Sequence, residues 1–274
     1  MVASRRLSSS TSLPTSQRPS NAPPMPSVSS SRSWTMPAAD HRPRPEPFDF
    51  DTDPDRFRTT SLAAKRFGLA EDVHVDVADR FAKEQVDLAL DVGCGQGKLL
   101  SLLRDKAVPA VGLDASPTML KDAPGSRIFG DARALPFPPN TFGGAAAMYM
   151  LYHLEDPVQA VAECHRVLRP GGLFAACAPS RYDSPELRSI LPGYGVPSTF
   201  DSENAPEIIG SVFDEIEIDA WDGPYVHLPD SEALTLYLRG RRLSPTAADR
   251  ASDAIDTPIT LTKRGAIIYA RKFD

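Results

Sequence analysis

The sequence predicts an α/β protein built on a doubly wound sheet of seven strands, the last of them antiparallel. Three observations predict it. Five short apolar runs between Ala89 and Ser180 each end at a glycine, an acid or a proline, helical stretches separate them, and the last third of the chain alternates apolar with polar residues.

The first run, ALDVGCGQGKLL from Ala89 to Leu100, passes from a strand into a glycine turn and on into a helix beginning near Lys98. Gly93, Gly95 and Gly97 carry no Cβ, so backbone N–H groups and the helix N-terminus can approach an anionic group of a ligand. Asp91 stands just ahead of them with the opposite charge. That carboxylate would repel a phosphate, whereas a ligand bearing an ammonium beside a carboxylate suits the pair. The spacing is GxGxG, not the GxGxxG of dinucleotide folds.

The second run, PAVGLDASPTML, ends in Asp114, and Ser116-Pro117 then starts a helix. An acid there can cap that helix or accept two ribose hydroxyls. Its place at the C-terminal end of a strand beside the glycine turn favours the ligand crevice of a doubly wound sheet. In SRIFGDARALPFPPNTF, Asp131 and Ala132 follow the third strand, and an acid beside a backbone N–H can bind an adenine amino group and ring nitrogen together. FGGAAAMYMLYHLEDP supplies the fourth strand. ECHRVLRPGGLFAACAPS supplies a helix, a turn and the fifth.

With these motifs in this order, the stretch from Phe57 to Cys177 resembles the class I S-adenosylmethionine-dependent methyltransferases, within the broad group that includes the quinone-biosynthesis enzymes. The resemblance rests on LDVGCGQG, GLDASPTML, GDARALPFPPNTF, MYMLYHLEDP and ECHRVLRPGG. It implies a Rossmann-like sheet whose last strand inserts between the fifth and sixth, and S-adenosyl-L-methionine as cofactor. It further implies that Asp91, Gly93, Gly95 and Gly97 lie against the methionine end, that Asp114 holds the ribose, that Asp131 and Ala132 hold the adenine, and that Met148 sits beside the sulfonium. One departure stands out: Gly143 and Gly144 follow the phenylalanine that opens strand four, where the family usually has an acid.

The sixth strand is expected in SVFDEIEIDAW, alternating over Phe213, Ile216 and Ile218, and the seventh in ITLTKRGAIIYARK, with a connecting helix near Ser231 to Arg239. The Pro- and Gly-rich stretch Arg181 to Gly210 is long enough to be functional. Together with Phe48 to Arg80 and Pro224 to Asp230 it is expected to wall the pocket of a small-molecule methyl acceptor. Methyl transfer is an in-line displacement, so the protein has mainly to align the nucleophile and exclude water. A base is needed where the acceptor holds a proton, and His153, just after strand four, is the catalytic candidate. Tyr149 and Tyr152 are expected as aromatic walls, with Tyr225 and His227 as further pocket residues.

Composition agrees. A chain of 274 residues, 41% hydrophobic, can bury one full core without disulfides. Cys94, Cys164 and Cys177 show no metal-ligand spacing, and their odd number suits a reducing compartment. No apolar run is long enough to span a membrane. Residues 1–39 are rich in Ser and Pro, carry Arg5, Arg6, Arg18 and Arg32, and hold no acid. Three readings stand for them: an inert disordered tail, a mis-called start with translation beginning at Met36, or an organelle transit peptide. Residues 40–274 are expected to form the methyltransferase domain, cytoplasmic unless the N-terminal segment is a transit peptide.

Without those four arginines, 26 basic residues face 36 acidic ones, a net charge of −10. That is a poor match to nucleic acid. The basic residues Arg239, Arg241, Arg242, Lys263, Arg264, Arg271 and Lys272 read as a solvated face rather than an RNA site. The alternatives are an RNA methyltransferase, a non-enzymatic S-adenosylmethionine-binding protein and, against the glycine spacing, an NAD-dependent dehydrogenase. No local motif specifies the acceptor, the methylated atom or the oligomeric state.

Overall fold

The computed structural model describes residues 59, 62, 63, 65–69, 72–241 and 243–273. The segment 1–39, the start at Met36, Arg242 and most of the expected wall before Asp72 lie outside the described residues.

Helices are numbered here from Val73. α1 (Val73–Lys83) precedes β1 (Ala89–Val92), α2 (Lys98–Asp105), β2 (Ala110–Asp114), α3 (Pro117–Leu120), β3 (Ser126–Phe129) and β4 (Phe142–Met148). Then follow α4 (Pro157–Val167), β5 (Leu168–Pro179), α5 (Ala205–Gly210), β6 (Glu215–Leu228), α6 (Ser231–Gly240), α7 (Pro245–Asp253) and β7 (Ile259–Arg271). The seven strands lie in the order β3-β2-β1-β4-β5-β7-β6. β1 to β5 pair in parallel, and β7 enters antiparallel between β5 and β6. This is the expected doubly wound sheet with its antiparallel last strand.

Strand periodicity explains why both faces are covered. Leu90 and Val92 of β1, Ala145 and Ala147 of β4, and Phe174 and Ala176 of β5 face one layer, with Val161 and Cys164 of α4 and Ile209 of α5. The alternate residues Ala89, Ala146, Met148, Ala175 and Cys177 face the other, against Val77 and Phe81 of α1 and Leu99 and Leu103 of α2. Each fully buried Leu or Phe contributes roughly 1.5–3 kcal/mol by leaving water. The alanine-rich β4 lets the helices approach closely on either side.

At Gly143 and Gly144 the start of β4 is irregular: its register with β5 shifts between Phe142 and Gly144, and both glycine N–H groups donate to the Leu88 carbonyl. A Cβ on Gly143 would come within 2.5 Å of Asp87 Oδ1. The space is thus taken by a carboxylate from the β1 side, which ion-pairs with Arg169, and Arg169 also donates to the Thr141 carbonyl at 2.6 Å.

The second half departs from expectation in three places. β6 does not stop at Trp221 but runs on through Pro224 to Leu228, paired with β7 through Val226↔Leu261 and Leu228↔Ile259, with a register break after the proline, which has no N–H to give. Phe213 precedes β6 and stacks on Phe174 with ring centroids 5.2 Å apart, while Ile218 is 51% exposed on the sheet edge. α7 was not foreseen, although Ser244 caps it and Pro245 opens it. A third cluster, including Leu187, Leu191, Val226, Leu234, Leu238 and Leu261, joins α6, α7 and the 181–210 stretch to the β6–β7 hairpin. Among the described residues no helix is long and apolar enough to cross a membrane.

Candidate cofactor site

The site grows from the C-terminal ends of β1, β2 and β4. Gly93, Gly95 and Gly97 all adopt positive φ, +69°, +53° and +77°, which turns the chain sharply from β1 into α2. Gly97 also permits a close approach, because a Cβ there would meet Pro124 Cδ at 2.4 Å. At Gly93 a Cβ would meet Met150 Cβ at 2.7 Å. Met150 therefore covers the turn, whereas Met148 packs in the layer beneath α1.

Asp114 ties the turn to β2. Gly95 N–H donates to its Oδ2 and Ser116 N–H to its Oδ1, each at 2.8 Å, and the residue is only 8% exposed. Ribose hydroxyls would thus meet a carboxylate already fixed in place. Ser116, not Asp114, caps α3, accepting from Met119 N–H at 3.2 Å.

Asp91 is 2% exposed, and its Oδ2 has no hydrogen-bond partner among the described residues. An orphaned buried carboxylate oxygen costs free energy unless a cation or donor completes it. Burial, then the charge of Asp114, pushes its pKa up to about 7. A ligand ammonium fits this acceptor, and the bare backbone of the glycine turn fits the neighbouring carboxylate.

Asp131 and Ala132 follow β3 as expected, Ala132 buried and Asp131 partly exposed. The Asp131 carboxylate is gripped by Arg133, which donates through Nε at 3.0 Å and Nη2 at 2.7 Å and holds the carboxyl below its usual range. Binding an adenine amino group there requires Arg133 to share or release it.

His153 lies in the 3₁₀ turn Leu151–His153, its ring 4.6 Å from that of Tyr152. Thr199 Oγ1 donates to the Tyr152 carbonyl at 3.3 Å, so the 181–210 stretch does reach the end of β4. Tyr149 takes φ +54°, an uncommon conformation for tyrosine, and is partly buried against the layer that holds α1, and this burial raises its hydroxyl pKa, with Cys177 adding to the shift. His227 instead faces outward on β6 with Nδ1 3.0 Å from Thr260 Oγ1. Tyr225 holds the preceding segment through its carbonyl, which accepts from Leu69 N–H at 2.8 Å.

Sequence reasoning missed His74. Its Nδ1 is 2.5 Å from Asp72 Oδ1, and its ring centroid is 5.9 Å from that of Tyr149. Asp72 also caps α1 and ion-pairs with Lys98, the first residue of α2. Burial works to raise the Asp72 pKa, but hydrogen bonds from His74 and Lys98 outweigh it and hold the carboxyl well below its ordinary range. An ionised Asp72 fixes the proton of His74 on Nδ1 and leaves Nε2 as an acceptor, with no hydrogen-bond partner among the described residues. The available signal was an N-cap acid two residues before a histidine, at the start of a helix facing the glycine turn.

Residues 90–176 match the family described as "Methyltransferase domain". The chain is 39% identical over 110 residues to a demethylmenaquinone methyltransferase of Renibacterium salmoninarum, covering 38% of this chain and 46% of that one. It is 34% identical over 114 residues to the mitochondrial arginine-hydroxylase of Rattus norvegicus, covering 39% and 33%. The first curated relatives it matches are spanned over only 33% to 44% of their length. Among solved structures, the cyclase SpnF superposes with a TM-score of 0.56 at 18% identity, over 82% of this chain and 95% of that one, a likeness of fold.

Proposed function

We propose that this chain, whose residues 90–176 belong to the methyltransferase-domain family, binds S-adenosylmethionine and transfers its methyl group to a small-molecule acceptor. The observation that carries the reading is the orphaned, buried Asp91 Oδ2 beside a glycine turn, a receptor for an ammonium next to a carboxylate. When bound, the cofactor supplies an electrophilic methyl on a sulfonium. Asp91 would hold the ammonium, the Gly93–Gly97 turn the carboxylate, Asp114 the ribose, and Asp131 with Ala132 the adenine. Met148, expected beside the sulfonium, is buried at the end of β4.

The protein's own work is alignment and exclusion of water, supplied by the end of β4 and the 181–210 stretch. Where the acceptor carries a proton, a base must take it. His74 is better organised for this than His153, because Asp72 orients its ring and fixes its tautomer. The Renibacterium relative, named for a demethylated quinone, supports a quinone-like or other aromatic acceptor.

Titrating the full chain with S-adenosylmethionine and S-adenosylhomocysteine by calorimetry tests the reading, with Asp114→Asn as control. Saturable binding of both ligands, weakened about tenfold or more in the variant, supports it and justifies a screen of phenolic and quinol acceptors. A folded protein that binds neither ligand overturns it. The hydroxylase relative shows why methyl transfer must be assayed separately from binding.

A further inference from the structure

The sequence holds two tryptophans, Trp34 and Trp221, and only the second lies among the described residues. Trp221 of β6 is half-buried at the rim of the layer beneath α1, where Tyr149 also packs. A tryptophan left partly open at the rim of a core offers a large flat apolar surface, which suits an aromatic ligand.

The sheet register sets it at the ligand-binding edge. Pro179, the last residue of β5, pairs with Gly265 of β7, and Gly265 pairs with Trp221, so the three positions share one face of the sheet. Gly265 has no side chain, and the indole uses that space: a Cβ there would meet Trp221 Cζ2 at 2.3 Å. The Ala178 carbonyl of β5 lies 2.7 Å from the same point. Trp221 thus reaches across β7 to the end of β5. From the other side, Tyr149 N–H donates to the Cys177 carbonyl at 3.0 Å. One aromatic residue therefore flanks the end of β5 on each side.

His74 reaches the same place from α1. That helix starts at the ligand edge and runs down the sheet, because Phe81, near its far end, has Cε2 3.0 Å from where a Cβ of Gly144 would stand, at the start of β4. β5 and β6 both run antiparallel to β7, so β6 climbs toward the ligand edge with β5. Asp76 of α1 and Asp219 of β6 line one groove. Two residues nearer that edge stand His74 on α1 and Trp221 on β6, and the His74 ring is 5.9 Å from that of Tyr149. The Asp72–Lys98 ion pair ties this end of α1 to the helix that leaves the glycine turn, so the cofactor crevice lies alongside.

We propose that Trp221 is the platform for the acceptor's aromatic ring, which lies at the end of β5 between the indole and the Tyr149–His74 pair with a ring hydroxyl turned toward His74. This inference rests on the methyltransferase reading above, which makes that edge the place of methyl transfer. Trp221 then sets specificity: a planar ring gains the stacked or edge-to-face contacts that an indole offers, and a saturated ring of the same skeleton does not. Gly265 is the positioning residue, because a side chain there would displace the indole from the end of β5.

The test uses the full chain carrying Trp34→Phe, labelled with nitrogen-15 and saturated with S-adenosylhomocysteine, so that Trp221 gives the single indole N–H signal. The probes are 2-naphthol and its saturated counterpart, decahydro-2-naphthol. Saturable displacement of the Trp221 signal by 2-naphthol, with an affinity about tenfold or more above that of decahydro-2-naphthol, is the expected result. Trp221→Leu should weaken 2-naphthol about tenfold and Trp221→Phe should recover most of that loss, while both keep S-adenosylhomocysteine affinity. An indole signal unmoved by 2-naphthol, equal affinities for the two probes, binding of neither, or full 2-naphthol affinity in Trp221→Leu overturns the proposal. The indole signal and the two-probe comparison decide the matter even if Trp221→Leu fails to fold. Failure of S-adenosylhomocysteine to bind would sink the methyltransferase reading itself, whereas its binding with a silent Trp221 would sink this inference alone.

Discussion

In the proposed site, Asp91 would couple ligand binding to pH. Folding raises its pKa from the ordinary carboxylate value to about 7, so the native state holds that proton more tightly than the unfolded chain. Its contribution is full below about pH 4 and is lost as pH rises through about 7, up to roughly 4 kcal/mol across that window. Asp72, Asp131 and Asp183, with lowered pKa values, act in the opposite sense, their stabilisation being lost as pH falls below the ordinary carboxylate range. Urea unfolding of Asp91→Asn from pH 4 to pH 8 isolates the first effect: the wild type should lose stability relative to the variant as pH rises. A ligand ammonium favours ionised Asp91, so S-adenosylhomocysteine should bind more weakly at pH 6 than at pH 8 and release a proton on binding below pH 7. Proton uptake, or no linkage in buffers of differing ionisation enthalpy, would remove Asp91 from the ammonium site. His74 gives the second prediction at this scale. With any acceptor that must lose a proton, His74→Gln should lower kcat about 10²-fold or more and leave S-adenosylhomocysteine affinity unchanged, while His153→Ala costs less. Steady-state kinetics with the two variants side by side would reverse that order if His153 is the base.

At the scale of elements, the β1–α2 turn is the most constrained piece of backbone. Gly97→Ala would place a Cβ 2.4 Å from the Pro124 ring and 3.2 Å from Ala123 Cα, in a left-handed conformation that alanine resists. We expect a loss of about 2–4 kcal/mol, measured by denaturant unfolding, together with loss of S-adenosylhomocysteine binding. A near-neutral result would mean that the turn and α3 separate easily. This turn was also the most legible element, and for the same reason. Apolar strand, acid, spaced glycines and helix are local signals, and each is imposed by a local backbone need. The strand ends at Asp114 and Asp131 were legible likewise. α7 was not, because PTAADRASD has no apolar stripe, and it is held by Ala248 packing into a cluster assembled from distant segments and by Ser252, whose Oγ accepts from Thr235 Oγ1 at 2.7 Å. The far half of β6 was not foreseen, because Gly223 and Pro224 interrupt the alternation that marks the strand and only its pairing with β7 carries it on. Nothing in sequence brings His74 to Tyr149, or Arg241 and Lys263 to Asp183; those meetings belong to the assembled sheet.

For residues 72–273 as a whole, the antiparallel entry of β7 has two consequences. It widens the sheet beyond β5, and it sets the start of β7, with Lys263 and Arg264, at the edge where the parallel strands end. In the proposed reading the cofactor side is built from β1, β2 and β4, and the acceptor side from the end of β4 and the 181–210 stretch, whose Leu187 and Leu191 pack with α6, α7 and the far half of β6. A ligand that completes the cofactor side should stabilise the folded state by mass action, about 2.7 kcal/mol at a concentration one hundred times its Kd. For a domain of this size that corresponds to a rise in Tm of roughly 5–10 °C. S-adenosylhomocysteine should produce that rise in the wild type and a much smaller one in Asp114→Asn. An equal rise in Asp114→Asn would remove that carboxylate from the ribose site and leave the crevice at the ends of β1 and β2 without its best-fixed polar group.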